Sequence, residues 1–231
     1  MKLAGLQKLT LLDFPGHVAC TVFTAGCNLR CPFCHNSELV LPERKPALMD
    51  AESFFSFLKK RQGILEGVCV TGGEPLLQKD IVPFLRRIKG LGFAVKLDTN
   101  GCFPNLLRSL VEEGLVDFVA MDIKNSPARY GQTAGIPHMD LTPIQESVAF
   151  LLSGAVDYEF RTTVAAQFHD EDSFRDIARW IAGAKRYALQ EFKDSGDILT
   201  GGLTPCSPEQ MQVFLSILKP HIPGAFLRGN E

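Results

Sequence analysis

Three cysteines are the residues of this chain whose spacing most directly indicates chemistry. Cys27, Cys31 and Cys34 fall within eight consecutive positions, and no fourth cysteine is spaced to complete a four-thiolate site. Cysteine thiolates are the usual ligands of iron–sulfur clusters. Three thiolates on a four-iron cluster leave one iron for an exchangeable ligand, so the spacing predicts a [4Fe-4S] cluster with an open coordination position.

The same residues allow two other interpretations. Cys31, Cys34 and His35 satisfy the CxxCH pattern of covalent haem attachment, which normally takes place outside the cytoplasm. A closed zinc site of three thiolates and His35 would be structural, although adjacent Cys34 and His35 could hardly bind one tetrahedral ion without strain. The iron–sulfur cluster fits the ligand count and the single loop better than either alternative.

Composition narrows the class of protein. With 231 residues, of which 45% are hydrophobic, the chain can bury a substantial core. A net charge of −2 lacks the basic surplus that binds phosphate backbones, so nucleic acid is not an expected partner. The first residues lack a secretion signal, and no stretch approaches the roughly 20 apolar residues of a membrane span. We therefore expect a cytoplasmic protein without a membrane partner, and expect Cys20, Cys69, Cys102 and Cys206 to be buried residues or bystanders.

Hydrophobic patterning predicts six strands that alternate with six helices. The predicted strands cover residues 17–24, 67–71, 93–98, 116–122, 156–164 and 187–192. The predicted helices cover residues 50–62, 78–90, 103–114, 143–153, 170–185 and 207–219. Six such units without a linker predict a single domain over residues 1–231, with an α/β fold that is a partial (β/α)6 barrel of parallel strands.

Local signals define two helix starts and one loop. Thr142 and Ser207 each precede a proline and stand three residues before a glutamine, so both are expected N-caps. Residues 125–140 contain glycines and prolines and are predicted to be a long loop that could open for a substrate.

Polar residues gather where the predicted strands end. Chemistry in sheets of parallel strands concentrates at the carboxyl ends of the strands. We therefore expect one C-terminal rim to hold the cluster together with these side chains and glycines. The candidates are Gly72, Gly73, Glu74, Asp98, Thr99, Asp122, Lys124, Arg161 and Gln190.

The motifs resemble those of a known family. CxxxCxxC with Phe33 before its last cysteine resembles the signature of radical S-adenosylmethionine enzymes, and Gly72-Gly73-Glu74-Pro75 resembles their methionine-binding segment. Over essentially the whole chain, the sequence is similar to the activating enzymes of glycyl-radical proteins. It is most similar to the short activases of anaerobic ribonucleoside-triphosphate reductase and also resembles the pyruvate formate-lyase activase. The further matching segments are Asp13-Phe14-Pro15-Gly16, His35-Asn36, Asp98-Thr99-Asn100-Gly101 and Asp122-Ile123-Lys124.

The resemblance implies roles for these residues. Cys27, Cys31 and Cys34 would bind the [4Fe-4S] cluster, whose open iron would chelate S-adenosyl-L-methionine. The Gly72-Gly73-Glu74 segment would receive the methionyl amine, and Lys124 or Arg161 would face the carboxylate. The resemblance also implies oxygen donors for a monovalent cation at Asp98, Thr99 and Asp122. The remaining implied cofactor-binding residues are Phe33, Asn36, Asp98, Asp122 and Gln190. On this basis Gly73→Val is expected to weaken cofactor binding and leave the iron content intact.

The implied activity is that of an oxidoreductase. The resemblance implies that one electron from the cluster would break a carbon–sulfur bond of S-adenosyl-L-methionine, and that the resulting 5′-deoxyadenosyl radical would take a hydrogen atom from a glycine of a partner glycyl-radical enzyme. No general base is required, so no catalytic side chain is named. The resemblance implies flavodoxin or ferredoxin as the electron donor. Two alternatives stay open: a radical enzyme acting on a small molecule, like a 7-deazaguanine synthase, and a metal-binding module without catalysis.

Overall fold

The computed structural model describes residues 1–41, 46–194 and 196–229. Within these ranges the chain forms eight strands and eight α-helices, which mostly alternate. The strands are β1 (Leu3–Thr10), β2 (Ala19–Thr24), β3 (Gly67–Gly72), β4 (Ala94–Thr99), β5 (Phe118–Asp122), β6 (Asp157–Val164), β7 (Tyr187–Glu191) and β8 (Ala225–Arg228). The helices are α1 (Ser37–Val40), α2 (Ala51–Lys59), α3 (Ile81–Gly90), α4 (Pro104–Glu112), α5 (Tyr130–Ala134), α6 (Thr142–Leu152), α7 (Glu171–Trp180) and α8 (Pro208–Leu218).

The strands form a mostly parallel sheet in chain order from β1 to β8. β1 runs antiparallel to β2, whereas β2–β3, β3–β4, β6–β7 and β7–β8 are parallel pairs. Because β1 and β8 end the order, the sheet is not closed. The predicted α/β class with a partial barrel of parallel strands is confirmed.

All six predicted strands are present, and each of their ends lies within two residues of the predicted position. Two further strands, β1 and β8, carry no clear sequence signal. Most of β1 is exposed or half-buried, and only its two ends are buried. β8 has four residues and only its first is buried. Strands at the edge of a sheet lack a continuous buried run, so hydrophobic patterning does not reveal them.

The predicted helices are all present, but the details of their ends differ. Ser207 caps α8 through a complete capping box with Gln210, which confirms that prediction. The prediction for Thr142 is wrong, because Thr142 is the first residue of α6 and its backbone N–H donates to Asp140 Oδ1 at 3.0 Å. The Asp140 carboxylate, and not the Thr142 hydroxyl, therefore accepts a hydrogen bond from the backbone at the start of α6. Within the described ranges, no helix has the length and apolar character that crossing a bilayer requires.

Residues 125–140 are more ordered than predicted. They contain a 3₁₀ turn at Pro127–Arg129 followed by α5, and Tyr130 is fully buried with its hydroxyl donating to Asp122 O at 3.1 Å. Gly135 ends α5 with a φ of 74°. The loop prediction is wrong because part of this segment is helical: Pro127 begins the 3₁₀ turn and Gly135 ends α5.

Contacts divide the chain into two compact units. The first unit comprises Met1–Asn28 and Glu38–Ala120, and the second comprises Leu29–Ser37 and Met121–Glu231. In the first unit, the rings of Phe54 and Phe84 stack with centroids 5.5 Å apart. In the second, Phe174 of α7 and Phe214 of α8 stack at 4.5 Å. Both units therefore have an aromatic core, and the single-domain prediction stays a prediction.

Candidate cluster and cofactor site

In the first unit, two glycines fix the backbone that leads into Cys27. Gly73 N–H donates to Thr24 O, and Glu74 N–H donates to Gly26 O, both at 2.8 Å. A Cβ on Gly73 would lie 2.0 Å from Gly26 O, and a Cβ on Gly72, whose φ is 120°, would lie 2.3 Å from Thr24 N. Neither position has room for a side chain. The glycine pair therefore allows the end of β3 to pack directly against the segment that precedes Cys27.

Asn100 lies close to the Cys27 sulfur. Its buried side-chain amide has Nδ2 3.9 Å from Cys27 Sγ and 2.8 Å from Asn28 Oδ1, while its Oδ1 accepts from Cys102 N at 3.0 Å. An amide N–H that donates to a cluster sulfur stabilises its negative charge. Sequence reasoning assigned Asn100 no site role, because an Asn-Gly pair after a strand is also typical of a simple turn.

Glu74 is fully buried, and its carboxylate accepts hydrogen bonds from backbone and hydroxyl groups of the first unit. Oε1 accepts from Leu76 N at 3.0 Å and from Thr99 Oγ1 at 2.9 Å, and Oε2 accepts from Asn100 N at 2.7 Å. Backbone and hydroxyl donors thus surround both carboxylate oxygens. Glu74 and Thr99 hold the ends of β3 and β4 together, which is a structural function for both residues.

Asp98 lies beside a buried lysine that the sequence analysis did not single out. Lys96 and Asp98 point to the same face of β4 and form an ion pair, with side chains 2% and 10% exposed. Cys69 Sγ on β3 is 3.7 Å from Lys96 Nζ and from Asp98 Oδ1. Because an ammonium group already balances Asp98, the residues of this unit fit an additional monovalent cation poorly.

In the second unit, the segment that carries Cys31 and Cys34 is held by α5. Arg30 N–H donates to Ala134 O at 3.0 Å, and a Cβ on Gly135 would lie 2.1 Å from Arg30 O. A bond of 3.0 Å from Cys34 N to Cys31 O makes a tight turn between the two cysteines. Burial raises the pKa of the Cys34 thiol, against the opposing effects of Asn36 N–H and Lys124.

Phe33 has a packing function in this segment. It is 4% exposed, and its ring lies edge-on to Phe168 with the centroids 5.9 Å apart. The ring of His169 lies at 6.4 Å from Phe33. An aromatic residue between Cys31 and Cys34 therefore anchors the cysteine turn in the core of the second unit.

Asp122, Lys124 and Arg161 form a charged group in the second unit. Lys124 Nζ donates to Asp122 Oδ2 at 2.8 Å, and Arg161 Nε donates to Asp122 Oδ1. Burial alone would raise the pKa of Asp122, but the positive charges of Arg161 and Lys124 outweigh it and hold this pKa well below its usual range. Burial would lower the pKa of Lys124, but Asp122 and Cys31 raise it. Two cations and one anion leave a net charge of about +1.

His169 fixes the backbone of Lys124. Its Nε2 lies 2.9 Å from Lys124 O, and its Nδ1 lies 3.2 Å from Ala165 N. A neutral ring with a proton on Nε2 satisfies both contacts, donating to the carbonyl and accepting from the amide. Burial accordingly lowers the pKa of His169. The contact of this histidine with Lys124 joins residues 45 positions apart and depends on tertiary structure alone.

Gln190 and Asn36 complete the predicted set. Gln190 is half-buried on β7, in register with Thr163 of β6 and Arg228 of β8. Asn36 acts through its backbone N–H on the Cys34 sulfur. Among the described residues, no three or more His, Cys, Asp or Glu side chains converge as a single metal ion requires. Cysteine thiolates are the usual ligands of iron–sulfur clusters, so the chemistry of Cys27, Cys31 and Cys34 fits such a group.

Residues 21–146, more than half of the chain, match the Radical SAM superfamily. The chain belongs to this superfamily. It is a radical S-adenosylmethionine enzyme, and the superfamily implies a [4Fe-4S] cluster and S-adenosyl-L-methionine as its cofactors. The CxxxCxxC motif that resembled this family lies inside the matched region.

Two relatives and one solved structure extend the comparison. A Methanocaldococcus jannaschii protein named as a candidate glycyl-radical enzyme activating enzyme is 29% identical over 97% of this chain and 95% of its own length. The 7-carboxy-7-deazaguanine synthase of Koribacter versatilis is 32% identical over 66% of this chain and 64% of its own. A domain of a pyruvate-formate lyase-activating enzyme from Bacteroides vulgatus superposes with a TM-score of 0.56 at 20% identity, covering 71% of this chain and 99% of that domain. The last comparison supports the fold alone.

Proposed function

We propose that this chain activates a glycyl-radical enzyme, by abstracting a hydrogen atom from a glycine of that partner. The observation that carries the proposal is the similarity to the Methanocaldococcus jannaschii protein, which extends over nearly the full length of both chains. The motif resemblance favours an anaerobic ribonucleoside-triphosphate reductase as the partner. A flavodoxin or a ferredoxin is the proposed electron donor.

In this proposal, Cys27, Cys31 and Cys34 hold the cluster. When bound, the cluster and S-adenosyl-L-methionine supply one-electron chemistry and the hydrogen-abstracting radical. The net positive group around Asp122 suits an anionic carboxylate, since charge-assisted hydrogen bonds are roughly twice as strong as neutral ones. Lys124 and Arg161 would therefore bind the cofactor carboxylate.

The other residues of the site act by positioning. Gly72 and Gly73 set the backbone that would meet the methionyl amine, and Glu74 holds that backbone through the hydrogen bonds that it accepts. Phe33 keeps water from the cysteine turn by packing in the core. No proton transfer by a side chain is needed, so the contribution of the protein is orientation and charge.

The proposal does not extend to a monovalent cation. Asp98 is paired with Lys96, and Asp122 is paired with Lys124 and Arg161. Each carboxylate that the resemblance assigned to such an ion therefore has a protein cation within its own unit.

The test is anaerobic reconstitution with iron and sulfide, followed by reduction in the presence of S-adenosyl-L-methionine. We expect methionine and 5′-deoxyadenosine to form, and a glycine-centred doublet to appear in the electron paramagnetic resonance spectrum only when the reductase is added. A reductase with its radical-bearing glycine replaced by alanine is the matched control and should give no doublet. Cleavage without any partner-dependent doublet would contradict the activase assignment.

The similarity to the deazaguanine synthase supports a second candidate, a radical reaction on a small molecule. This similarity covers about two thirds of the chain, so it extends over less of the fold than the first. The same experiment separates the two, because an enzyme for a small molecule would cleave its cofactor at a rate that no protein partner changes.

A further inference from the structure

The pair of Lys96 and Asp98 is an unusual feature of the first unit. Both residues belong to β4, two positions apart, so their side chains project from the same face of the strand. The neighbouring strand places Cys69 in register with Lys96. Lys96 is 2% exposed, and both it and Asp98 lie 3.7 Å from the Cys69 sulfur. Positions in the middle of a parallel sheet are normally occupied by apolar residues, and a lysine is unusual there.

Burial makes each charge of this pair dependent on the other. A buried ammonium or carboxylate that loses its partner is strongly destabilising. The sulfur of Cys69 adds a polarizable neighbour. Asp98 thus has a cation that is covalently part of the chain and is held in place by the register of β3 and β4.

We propose that the Lys96 ammonium is the built-in counter-charge of Asp98 and takes the place of the monovalent metal cation that the resemblance implied. The charges of Lys96 and Asp98 sum to zero, so an added alkali ion would meet no unbalanced carboxylate there. Lys96 is a positioning residue, because its ammonium group acts on Asp98, which lies near the end of β4. Ion binding by the folded chain does not depend on the identity of the radical substrate.

The first test needs no variant. The thermal unfolding midpoint of the full chain is measured at constant ionic strength while choline chloride is exchanged for potassium or sodium chloride. We expect the midpoint of the wild-type chain to be unchanged, within about 1 °C, because no alkali ion binds at Asp98. A saturable rise of the wild-type midpoint with potassium or sodium would overturn the proposal.

Lys96→Met sharpens the test, because methionine keeps most of the side-chain volume and removes the charge. Asp98 then becomes an unbalanced buried carboxylate, and a saturating alkali ion should raise the midpoint of this variant by about 5 °C. The double variant Lys96→Met with Asp98→Asn removes both charges and should lose this response. Lys89→Met, which breaks the more exposed pair of Lys89 and Asp117, is the matched control and should behave like wild type.

Cofactor cleavage provides a second readout. The wild-type rate should agree within about twofold in choline, sodium and potassium salts, whereas Lys96→Met should be at least about fivefold faster with an alkali ion than with choline. A Lys96→Met variant that folds and shows neither response would overturn the proposal. The unfolding midpoint requires no cleavage, so failure of this inference is distinguishable from failure of the activase assignment.

Discussion

Glu74 in the first unit and Asp122 in the second are both carboxylates at the ends of parallel strands, but their surroundings differ. Glu74 is fully buried and accepts hydrogen bonds from two backbone amides and a hydroxyl. The Asp122 side chain is 26% exposed and lies between two cations. Neutral donors that surround a buried acid stabilise a fold, whereas a partly exposed group with surplus positive charge can still bind an anion. Position at a strand end is therefore not sufficient to assign a ligand.

Substitution of Gly73 should have the largest effect on the first unit. We expect Gly73→Ala to destabilise the chain by more than about 3 kcal/mol, because its Cβ would lie 2.0 Å from Gly26 O and backbone has to move. Iron content should fall as well, because Gly26, which has to move, directly precedes Cys27. From the sequence alone, we expected Gly73→Val to leave the iron content intact. Urea unfolding and iron analysis measure both effects. Gly201→Ala, where a Cβ meets no atom within 4 Å, is the control and should be nearly neutral.

Glu74→Ala should cost about 3 kcal/mol of unfolding free energy, because it leaves buried donors without their acceptor. Glu74→Gln should cost less, as the amide oxygen can still accept from Leu76 N or Thr99 Oγ1. Urea unfolding distinguishes the two. If Glu74→Ala were as stable as wild type and only cofactor affinity fell, the contrast with Asp122 would be wrong.

Substitutions in the charged group of the second unit should change the affinity for S-adenosyl-L-methionine. Arg161→Met is expected to weaken binding of S-adenosyl-L-methionine about 10- to 100-fold, because one charge-assisted hydrogen bond to the carboxylate of the cofactor is lost. Asp122→Asn leaves both cations in place and should not weaken binding, although it lowers stability. Equilibrium dialysis of the reconstituted enzyme measures both, with Arg179→Met of the exposed Arg179–Asp176 pair as the control. Equal weakening by Arg161→Met and Asp122→Asn would mean that the group only supports the fold.

His169 should give the smallest effect, a change in stability with pH. Its pKa is lowered from 6.5 in the folded chain, so the unfolded chain binds the proton more tightly. Its stabilisation is therefore present above pH 6.5 and declines as the pH falls below that value. Between pH 7.5 and 5.5, the melting temperature of wild type should fall more than that of His169→Gln. Parallel curves for the two proteins would show that the histidine is not held neutral.

Sequence patterns predicted the parts of the molecule that depend on local rules. The six buried strands, the capping box at Ser207 and the cysteine motif all followed from neighbouring residues. The edge strands β1 and β8 did not, because half of their surface faces solvent. At the start of α6, the Asp140 carboxylate and not the Thr142 hydroxyl accepts a backbone hydrogen bond. The path of the chain decides which of the two oxygens lies close to the donor.

The candidate site shows the same limit. The strand-end positions of Glu74, Asp98 and Asp122 were visible in the sequence, but it was not visible that Thr99 bonds Glu74 or that Arg161 pairs with Asp122. Lys96 looked like one residue of an apolar run, and Asn100 like part of a turn. The contact of Asn100 with Cys27 joins residues 73 positions apart and that of Lys96 with Cys69 joins residues 27 positions apart, and single-sequence patterns carry no such information.

Mössbauer spectroscopy of the enzyme reconstituted with isotopically enriched iron tests the central claim most directly. The account predicts a [4Fe-4S] cluster in which one iron changes its spectrum when S-adenosyl-L-methionine is added, because three cysteines leave that iron open. A cluster whose irons all keep their spectra on addition of the cofactor would contradict it.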